Sequence, residues 1–259
     1  MIWSTAAAVG SGAFVGLSLG LIGGGGSILA TPLLLYVVGV SEPHVAIGTS
    51  GLAVSASAYA NLIGHARSGN VRWLCAVLFA TIGTIGAVAG STFGKLVDGN
   101  RLLFLFGIVM LVVGALMLRP RQPSSAVERK PDLRTYIVTA LVACGVGTLS
   151  GFFGIGGGFL IVPGLILATG MPIINAIGSS LLAVGSFGLA TAANYTVSGL
   201  VDWQVAAEVI SGGVAGGIVG RALANRLARG KDTLNYMFAA TIFIVAAYVL
   251  YRGGTTILA

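Results

Sequence analysis

Long apolar segments follow one another along almost the whole chain, and this feature constrains the fold more than any other. Of the 259 residues, 56% are hydrophobic and only 8% are charged. A soluble domain carries about 25% charged residues, because its surface faces water. This chain must therefore place most of its surface against lipid, and the sequence predicts an all-α polytopic membrane protein.

An internal repeat divides these segments into two halves. Residues 44–118 align without a gap with residues 174–248 at an offset of 130, and upstream of them the offset is 131. We expect a first membrane repeat over 1–118, a linker over 119–134 and a second membrane repeat over 135–259. The linker is polar, contains prolines and carries several charges, which is typical of a surface segment.

Each half begins with a long apolar element that glycines interrupt, over about 5–40 and about 135–170. The first would measure about 54 Å as one straight helix, whereas the hydrocarbon core is about 30 Å thick. The interruptions, Gly23–Gly26 and Gly154–Gly158, favour a turn because consecutive glycines form helices poorly. We therefore expect a re-entrant element in each half. Three transmembrane helices should follow each one, near 44–64, 72–93 and 101–118, and near 174–195, 203–220 and 233–251.

The distribution of basic residues tests this topology. If each long element crossed the membrane once, the two faces would hold 8 and 6 of the 14 Lys and Arg residues; if it returns, they hold 11 and 3. The positive-inside rule favours the uneven partition, and it explains the net charge of +7 without nucleic acid. The halves then form an inverted repeat, with both termini outside the cytoplasm. Two full crossings per long element would give the same parity, so the charges leave that alternative open.

The glycine-rich turns are the first candidate site. We expect a helix to begin after each turn, at Ser27 and at Phe159, with N–H groups that lack an intrahelical partner and a positive dipole end. Such an end can bind an anion without a cationic side chain, and glycines let the anion approach the backbone. The alternative interpretation is that the glycines only permit tight turning and close helix packing.

Two pairs of hydroxyl residues, Thr49-Ser50 and Ser179-Ser180, occupy equivalent positions in the repeat. Each pair lies about 10 Å along its helix, so a turn entering from the opposite face should reach the same depth. The first turn is expected beside Ser179-Ser180 and the second beside Thr49-Ser50, although these hydroxyls could simply pack or bond back to the helix. The predicted substrate-binding residues are Gly24, Gly25, Gly26, Ser27, Thr49, Ser50, Gly156, Gly157, Gly158, Phe159, Ser179 and Ser180.

Few other polar side chains fall within the predicted helices. Glu208 follows Trp203 by five residues; it is a proton-coupling candidate if buried and unremarkable at the level of the headgroups. Candidates for coupling or gating at the helix ends are Asn61 and His65, and in the matching region Asn194 and Tyr195. The alternative for His65 is an interfacial histidine. No cluster has metal-ligand or nucleophile spacing, so we expect neither an enzyme nor a cofactor.

The combination of these motifs resembles the TauE/SafE family. The resemblance rests on the glycine turns, on Thr31-Pro32-Leu33 and Val162-Pro163 after them, and on the hydroxyl pairs within Ala46–Ser50 and Ala176–Ser180. It covers nearly the whole chain. The family consists of membrane proteins described as exporters of sulfite, sulfoacetate and related sulfur anions. The resemblance implies transport of a small sulfur oxyanion or sulfonate across the inner (cytoplasmic) membrane.

The function expected from the sequence is therefore secondary transport by alternating access, with export of a sulfur-containing anion. A passive anion channel on the same scaffold is the alternative, and saturable, coupled flux would distinguish the transporter from it. The expected partners are the anion and the lipid bilayer, without nucleic acid, and a homo-oligomer is left open.

Overall fold

The computed structural model describes residues 2–117, 133–154, 158–227, 240 and 242–251, and every regular element in these ranges is helical. The α-helices are α1 (Ile2–Ile22), α2 (Ala30–Leu33), α3 (Pro43–Arg67), α4 (Trp73–Gly94), α5 (Gly99–Met117), α6 (Leu133–Phe153), α7 (Gly158–Thr169), α8 (Ile173–Val197), α9 (Trp203–Leu227) and α10 (Ile242–Tyr251). Gly23–Leu29 forms a 3-10 helix, and a π-helical turn follows α2 over Leu34–Val38.

The length and hydropathy of these helices confirm the predicted polytopic, all-helical class. Five helices of the described residues are long and apolar enough to cross a membrane. They lie within α1, α4, α6, α8 and α9, and α5, α7 and α10 are shorter apolar helices. Most of the predicted linker lies outside the described residues, but α6 begins at Leu133 and so includes the last two residues of the predicted linker.

One group of three helices, α1, α3 and α9, runs in a single direction. Gly12 of α1 packs on Val209 of α9, and Gly20 packs on Gly217 further along both helices. Small residues allow this close approach because no side chain separates the two backbones. Along α3, Ser57 and Asn61 follow α9 in the same order, against Gly213 and Gly217, so all three helices are parallel.

The equivalent helices of the repeat, α6, α8 and α4, form a second parallel group. Gly147 and Gly151 of α6 pack on Gly83 and Ala87 of α4. The side chain of Phe187 in α8 lies against Gly83, and Asn194, two turns later, bonds to Ser91 of α4. Each group therefore contains helices from both halves of the sequence.

The two groups run antiparallel to each other. Between α3 and α8, the Ser55 hydroxyl donates to the Gly185 carbonyl at 2.7 Å, and the Tyr59 and Ser186 hydroxyls lie 3.1 Å apart. Gly51 of α3 lies nearest Gly188 of α8, so residue numbers rise along one helix as they fall along the other. The helices α5 and α10 also pair antiparallel, with Gly107 against Leu250 and Gly114 against Ile242.

The direction of the helices fixes the course of the first long element. Because α1 and α3 are parallel, both begin at the same face, and the chain over 23–42 must return to that face after α1 ends. At about 1.5 Å per residue, the 16 residues from Gly23 to Val38 would cover about 24 Å as α-helix. The 3-10 part rises further per residue, so the segment is somewhat longer than this. The first long element thus runs away from that face over α1, turns at the glycines and returns to the same face over 23–42.

Candidate functional site

The two glycine turns meet in the interior of the protein. Gly23 and Gly154 begin the turns with φ of 68° and 67°, in the left-handed region that glycine adopts without strain. A Cβ on Gly24 would overlap the backbone of Gly158, and a Cβ on Gly158 would overlap the backbone of Gly24. Only glycine at both positions permits this contact between the two halves.

Ser27 joins the two turns through its hydroxyl group. The hydroxyl donates to the carbonyl of Gly24 at 2.8 Å and accepts the N–H of Gly158 at 3.2 Å. The prediction that a helix begins at Ser27 is wrong, because Gly23–Leu29 is a 3-10 helix and α2 begins only at Ala30. The tighter 3-10 winding brings the Ser27 side chain back over the turn. In the second half α7 begins at Gly158, one residue before the predicted start at Phe159.

The first turn also contacts the hydroxyl pair of the opposite half. The N–H of Gly24 donates to the Ser180 hydroxyl at 3.1 Å, and Gly23 packs on Ile177. Ser180 gives its own proton to the Ile177 carbonyl at 2.8 Å. The hydroxyl of Ser180 therefore presents lone pairs to the turn, which is the arrangement that satisfies a backbone N–H group buried away from water.

Ser50 occupies the equivalent position but has a different partner. Its hydroxyl lies 2.7 Å from the hydroxyl of Thr31 and donates to the Ile47 carbonyl at 3.0 Å. The methyl end of Ile47 lies against Gly154 at the start of the second turn. Gly156 and Gly157 lie outside the described residues, as does the side chain of Phe159, so the predicted contact of this turn with Ser50 stays a prediction.

The first members of the hydroxyl pairs face the loops between helices. Thr49 accepts the N–H of Asp202 at 2.9 Å, and Ser179 accepts the N–H of Arg72 at 2.8 Å. These two bonds are equivalent in the repeat, and each joins one half of the chain to the other. Thr49 and Ser179 thus anchor the two short loops, whereas Ser180 contacts the first turn and Ser50 contacts Thr31.

The described residues of the two turns and of the hydroxyl pairs are closed to solvent. Ser27, Thr49 and Ser179 are 0% exposed, and Ser50 is 1% exposed. Gly24 and Gly26 are also buried, and a Cβ on Gly26 would overlap the backbone of Ser18 and Leu19. The described residues of the two turns and of the hydroxyl pairs are therefore buried away from solvent.

His65 and Asn61 both have hydrogen-bond partners in the structure. The buried His65 ring donates from Nε2 to the Gly20 carbonyl at 3.0 Å, and its Nδ1 faces the Asn70 amide nitrogen at 3.4 Å. These contacts fit a neutral ring with both nitrogens occupied. Asn61 donates to the Ser57 carbonyl at 2.9 Å.

Asn194 and Tyr195 lie at the other end of the molecule. The amide oxygen of Asn194 accepts a bond from the Lys95 ammonium group at 2.8 Å, and its amide nitrogen donates to Ser91 at 2.7 Å. The neighbouring Tyr195 ring is fully buried, and its hydroxyl has no hydrogen-bond partner in the described part of the chain. The Lys95 ammonium lies 5.9 Å from the centre of that ring, within cation–π range.

Glu208 lies apart from the turns, in a surface cavity at the start of α9. It accepts bonds from Thr5 at 3.0 Å and Gln204 at 3.3 Å, and it is half-buried. The cavity has a volume of about 420 Å³, and Glu42 and Asp202 also line it. This position fits the interpretation of Glu208 as a residue near the headgroups.

Two residues near these groups were not predicted from the sequence, Thr31 beside Ser50 and Lys95 beside Asn194. Their counterparts in the repeat are Val162 and Asn225, which differ from them in chemical type. A comparison of the two halves therefore did not identify Thr31 and Lys95 as candidates. Among the described residues, no group of three or more His, Cys, Asp or Glu side chains could hold a metal ion.

Comparison with known proteins gives consistent matches over nearly the full length. The profile of the family described as sulfite exporter TauE/SafE matches residues 8–249. A probable membrane transporter protein of Xylella fastidiosa is 57% identical over 100% of this chain and 99% of its own length. The probable membrane transporter protein YunE of Bacillus subtilis is 27% identical, over 90% of this chain and 92% of its own. No solved structure gives a significant match.

The double role of Ser27 can be tested against a matched serine. Ser27→Ala leaves the carbonyl of Gly24 and the N–H of Gly158 without their partner, so it should lower the free energy of unfolding by about 1–3 kcal/mol. Ser11 is also buried in the first long element, but its hydroxyl has no partner among the described residues, so Ser11→Ala should have little effect. Thermal unfolding of the purified protein in detergent measures both. Equal stability of the two variants would contradict the assigned role of Ser27.

Proposed function

Because the chain belongs to the sulfite exporter TauE/SafE family of membrane transporters, we propose that it exports a small sulfur-containing anion by alternating access. The substrate is sulfite, sulfoacetate or a related sulfonate. The contact between the two glycine turns, deep in the interior and between opposite halves, is the observation that carries this proposal. The protein itself is a multi-pass membrane transporter.

The two halves of the transporter form an inverted repeat whose two-fold axis lies in the membrane plane. Three observations support this arrangement. The equivalent helices α3 and α8 are antiparallel, and so are α5 and α10. The bond between Asp202 and Thr49 has its equivalent in the bond between Arg72 and Ser179. Inverted repeats with broken helices place the substrate near the middle of the membrane, where the two halves meet.

The turns supply the chemistry for an anion. The N–H groups of Gly24 and Gly158 have serine hydroxyls as acceptors in the occluded arrangement, and an anion oxygen is a stronger acceptor than a hydroxyl. When the anion enters, it replaces the hydroxyls of Ser27 and Ser180 as the acceptor of these N–H groups. Both hydroxyls then donate their own protons to the anion. A site made of backbone donors and hydroxyls lacks a fixed positive charge, so the anion can also leave.

Alternating access follows from the two groups of helices. Glycine contacts hold α1 against α9 and α6 against α4, and in the proposed cycle each group moves as a unit. Movement of the α1, α3, α9 group against the α4, α6, α8 group opens the contact between the turns toward one face at a time. In a passive channel both faces would open together.

The transporter lies in the cytoplasmic membrane with both termini outside. In this orientation the loop 68–72 and the end of α5 lie at one face, and the loops 39–42 and 198–202 lie at the other. The first face then carries 11 Lys and Arg residues and the second carries 3, and the positive-inside rule makes the first face cytoplasmic.

Transport by the purified protein in proteoliposomes tests the function. We expect saturable flux of sulfite or sulfoacetate in a panel that also contains thiosulfate, sulfate and chloride. Saturation follows because the anion occupies one internal site in each cycle. Gly24→Ala should abolish this flux, since its Cβ would overlap Gly158, whereas Gly145→Ala should retain it, because no atom lies within 4 Å of that position. Flux that rises linearly with concentration would indicate a channel, and the absence of flux for every sulfur anion would contradict the proposal.

The orientation can be tested with two equivalent positions of the repeat. Ser68 and Ser198 are both exposed, at the ends of α3 and α8. In a variant with Cys75 and Cys144 changed to Ala, an impermeant maleimide applied to intact cells should label Ser198→Cys and leave Ser68→Cys unlabelled until the membrane is permeabilised. The reverse pattern would place the termini inside the cytoplasm.

A further inference from the structure

Arg221 is a charged side chain within one of the helices that are long and apolar enough to cross the membrane. It lies in α9, six residues before that helix ends at Leu227, and it is half-buried. Its guanidinium group forms no hydrogen bond or ion pair with any residue in the described ranges. A charge in such a helix is costly and almost always pairs with another group or lines an aqueous path, so this open guanidinium group needs an explanation.

The helices α1, α3 and α9 meet at this arginine. A Cβ on Gly20 of α1 would lie 2.7 Å from the backbone nitrogen of Arg221, and a Cβ on Gly64 of α3 would overlap its guanidinium group. The His65 ring, next to Gly64, donates to the Gly20 carbonyl at 3.0 Å and so joins α3 to α1 at this level. By the proposed orientation, this level lies near the cytoplasmic ends of the three helices.

The first glycine turn begins close to the same level. Gly20 precedes Gly23 by three residues, which is about 4.5 Å along α1. Arg221 follows Gly217, on which Gly20 packs, by one turn of the parallel helix α9. Measured along the helices, Arg221 is therefore within about one helical turn of the residue at which the first turn begins.

The second half of the repeat fills the equivalent position with a hydrogen bond. The counterparts of Gly64 and Arg221 are Asn194 and Ser91, and the Asn194 amide nitrogen donates to the Ser91 hydroxyl at 2.7 Å. The first half has a glycine in place of the asparagine and an arginine in place of the serine. A guanidinium group with open donors thus stands where the other half has a bonded amide.

Lys95, the cation beside Asn194 at the opposite face, differs from Arg221 in its partners. Its ammonium group donates to the Asn194 carbonyl at 3.2 Å, to the Asn194 amide oxygen at 2.8 Å and to the Ser198 hydroxyl at 2.9 Å. An ammonium group has three protons, so these bonds occupy all of its donors, whereas a guanidinium group has five N–H donors. Of these two cations, Arg221 is therefore the one whose donors are open within the described part of the chain.

We propose that Arg221 is a binding position for the transported anion on the cytoplasmic side, where its guanidinium group binds two oxygens of the sulfite or sulfonate before the anion reaches the first turn. The inference rests on the proposed function and adds a charged residue to it. The planar guanidinium group matches two oxygens of an oxyanion, whereas chloride offers a single atom. Gly64 is the positioning residue, because a Cβ there would displace the guanidinium group. The fixed charge thus lies at the entrance, and the glycine turns themselves keep none.

Uptake of sulfoacetate into inside-out membrane vesicles tests this position, because these vesicles present the cytoplasmic face to the medium. Arg221→Gln should raise the half-saturating concentration about tenfold at low ionic strength, which is the effect of one lost hydrogen bond to a charged group. Gly64→Ala should raise it too, since it keeps the charge but moves it. Arg226→Gln is the control, because Arg226 is exposed at the end of the same helix and should not affect uptake.

The melting temperature of the purified variants distinguishes binding from a structural role. Arg221→Gln removes no hydrogen bond of the described structure, so it should melt at the temperature of wild type. Lys95→Gln removes three hydrogen bonds and should melt at a lower temperature. A lower melting temperature for Arg221→Gln with an unchanged half-saturating concentration would overturn the inference.

Restoring the charge chemically gives a second test. In a variant with Cys75 and Cys144 changed to Ala, Arg221→Cys is treated with aminoethyl methanethiosulfonate, which attaches a positive charge, or with methyl methanethiosulfonate, which attaches a neutral group. Only the charged group should lower the half-saturating concentration toward that of wild type. Sulfoacetate is the substrate here, because sulfite cleaves the disulfide that these reagents form.

The outcomes separate this inference from the proposed function. If wild type takes up sulfoacetate and Arg221→Gln does so with the same half-saturating concentration, the inference fails although the function stands; an arginine that binds a lipid phosphate would give this result. An equal rise for Arg226→Gln, or equal recovery with the neutral reagent, would also overturn it. If wild-type vesicles take up no sulfur anion, both the function and the inference fail.

Discussion

A chain that reverses direction in a buried interior must find a partner for every backbone group that the turn exposes, because no water reaches those groups. Each unsatisfied group costs several kcal/mol in hydrocarbon. In this protein the serine hydroxyls meet that requirement at the described positions: Ser180 accepts the N–H of Gly24, and Ser27 accepts the N–H of Gly158. Each acceptor belongs to the opposite half from the donor, so the two halves complete each other.

The packing of the helices follows from the same constraint. The turns can meet only if α1 and α6 lie close to the centre, and the glycines along them allow α9 and α4 to pack against their backbones. Because the lipid does not drive apolar helices together, this close packing supplies much of the attraction between them. In the proposed transport cycle, the bonded contact between the halves breaks and re-forms.

The sequence predicted the features that the repeat encodes. The glycine turns, the return of the first long element and the position of Ser180 beside the first turn follow from spacing, charge and helix geometry. The start of a helix at Ser27 was predicted wrongly, since the apolar pattern of Gly23–Leu29 does not distinguish a 3-10 helix from an α-helix. Spacing also could not show that Thr49 and Ser179 face loops, because this depends on which side of each helix meets the neighbouring chain.

The residues that the sequence did not reveal are those in which the halves differ. Thr31 and Lys95 have counterparts of another chemical type, Val162 and Asn225, so a comparison of the halves does not identify them. Tyr195 was predicted as a candidate for coupling or gating, in the region that matches His65, but the sequence could not show that its hydroxyl has no partner among the described residues.

The most direct test of this account is the position of a bound anion. Selenite has the shape and charge of sulfite, and its selenium atom can be located by anomalous scattering in crystals of the protein. We predict one selenium peak in the buried interior, within hydrogen-bonding reach of the turns at Gly24 and Gly158. A peak found only at the face that carries 11 Lys and Arg residues, or no peak in the interior at a saturating concentration, would contradict the assignment of the glycine turns as the anion site.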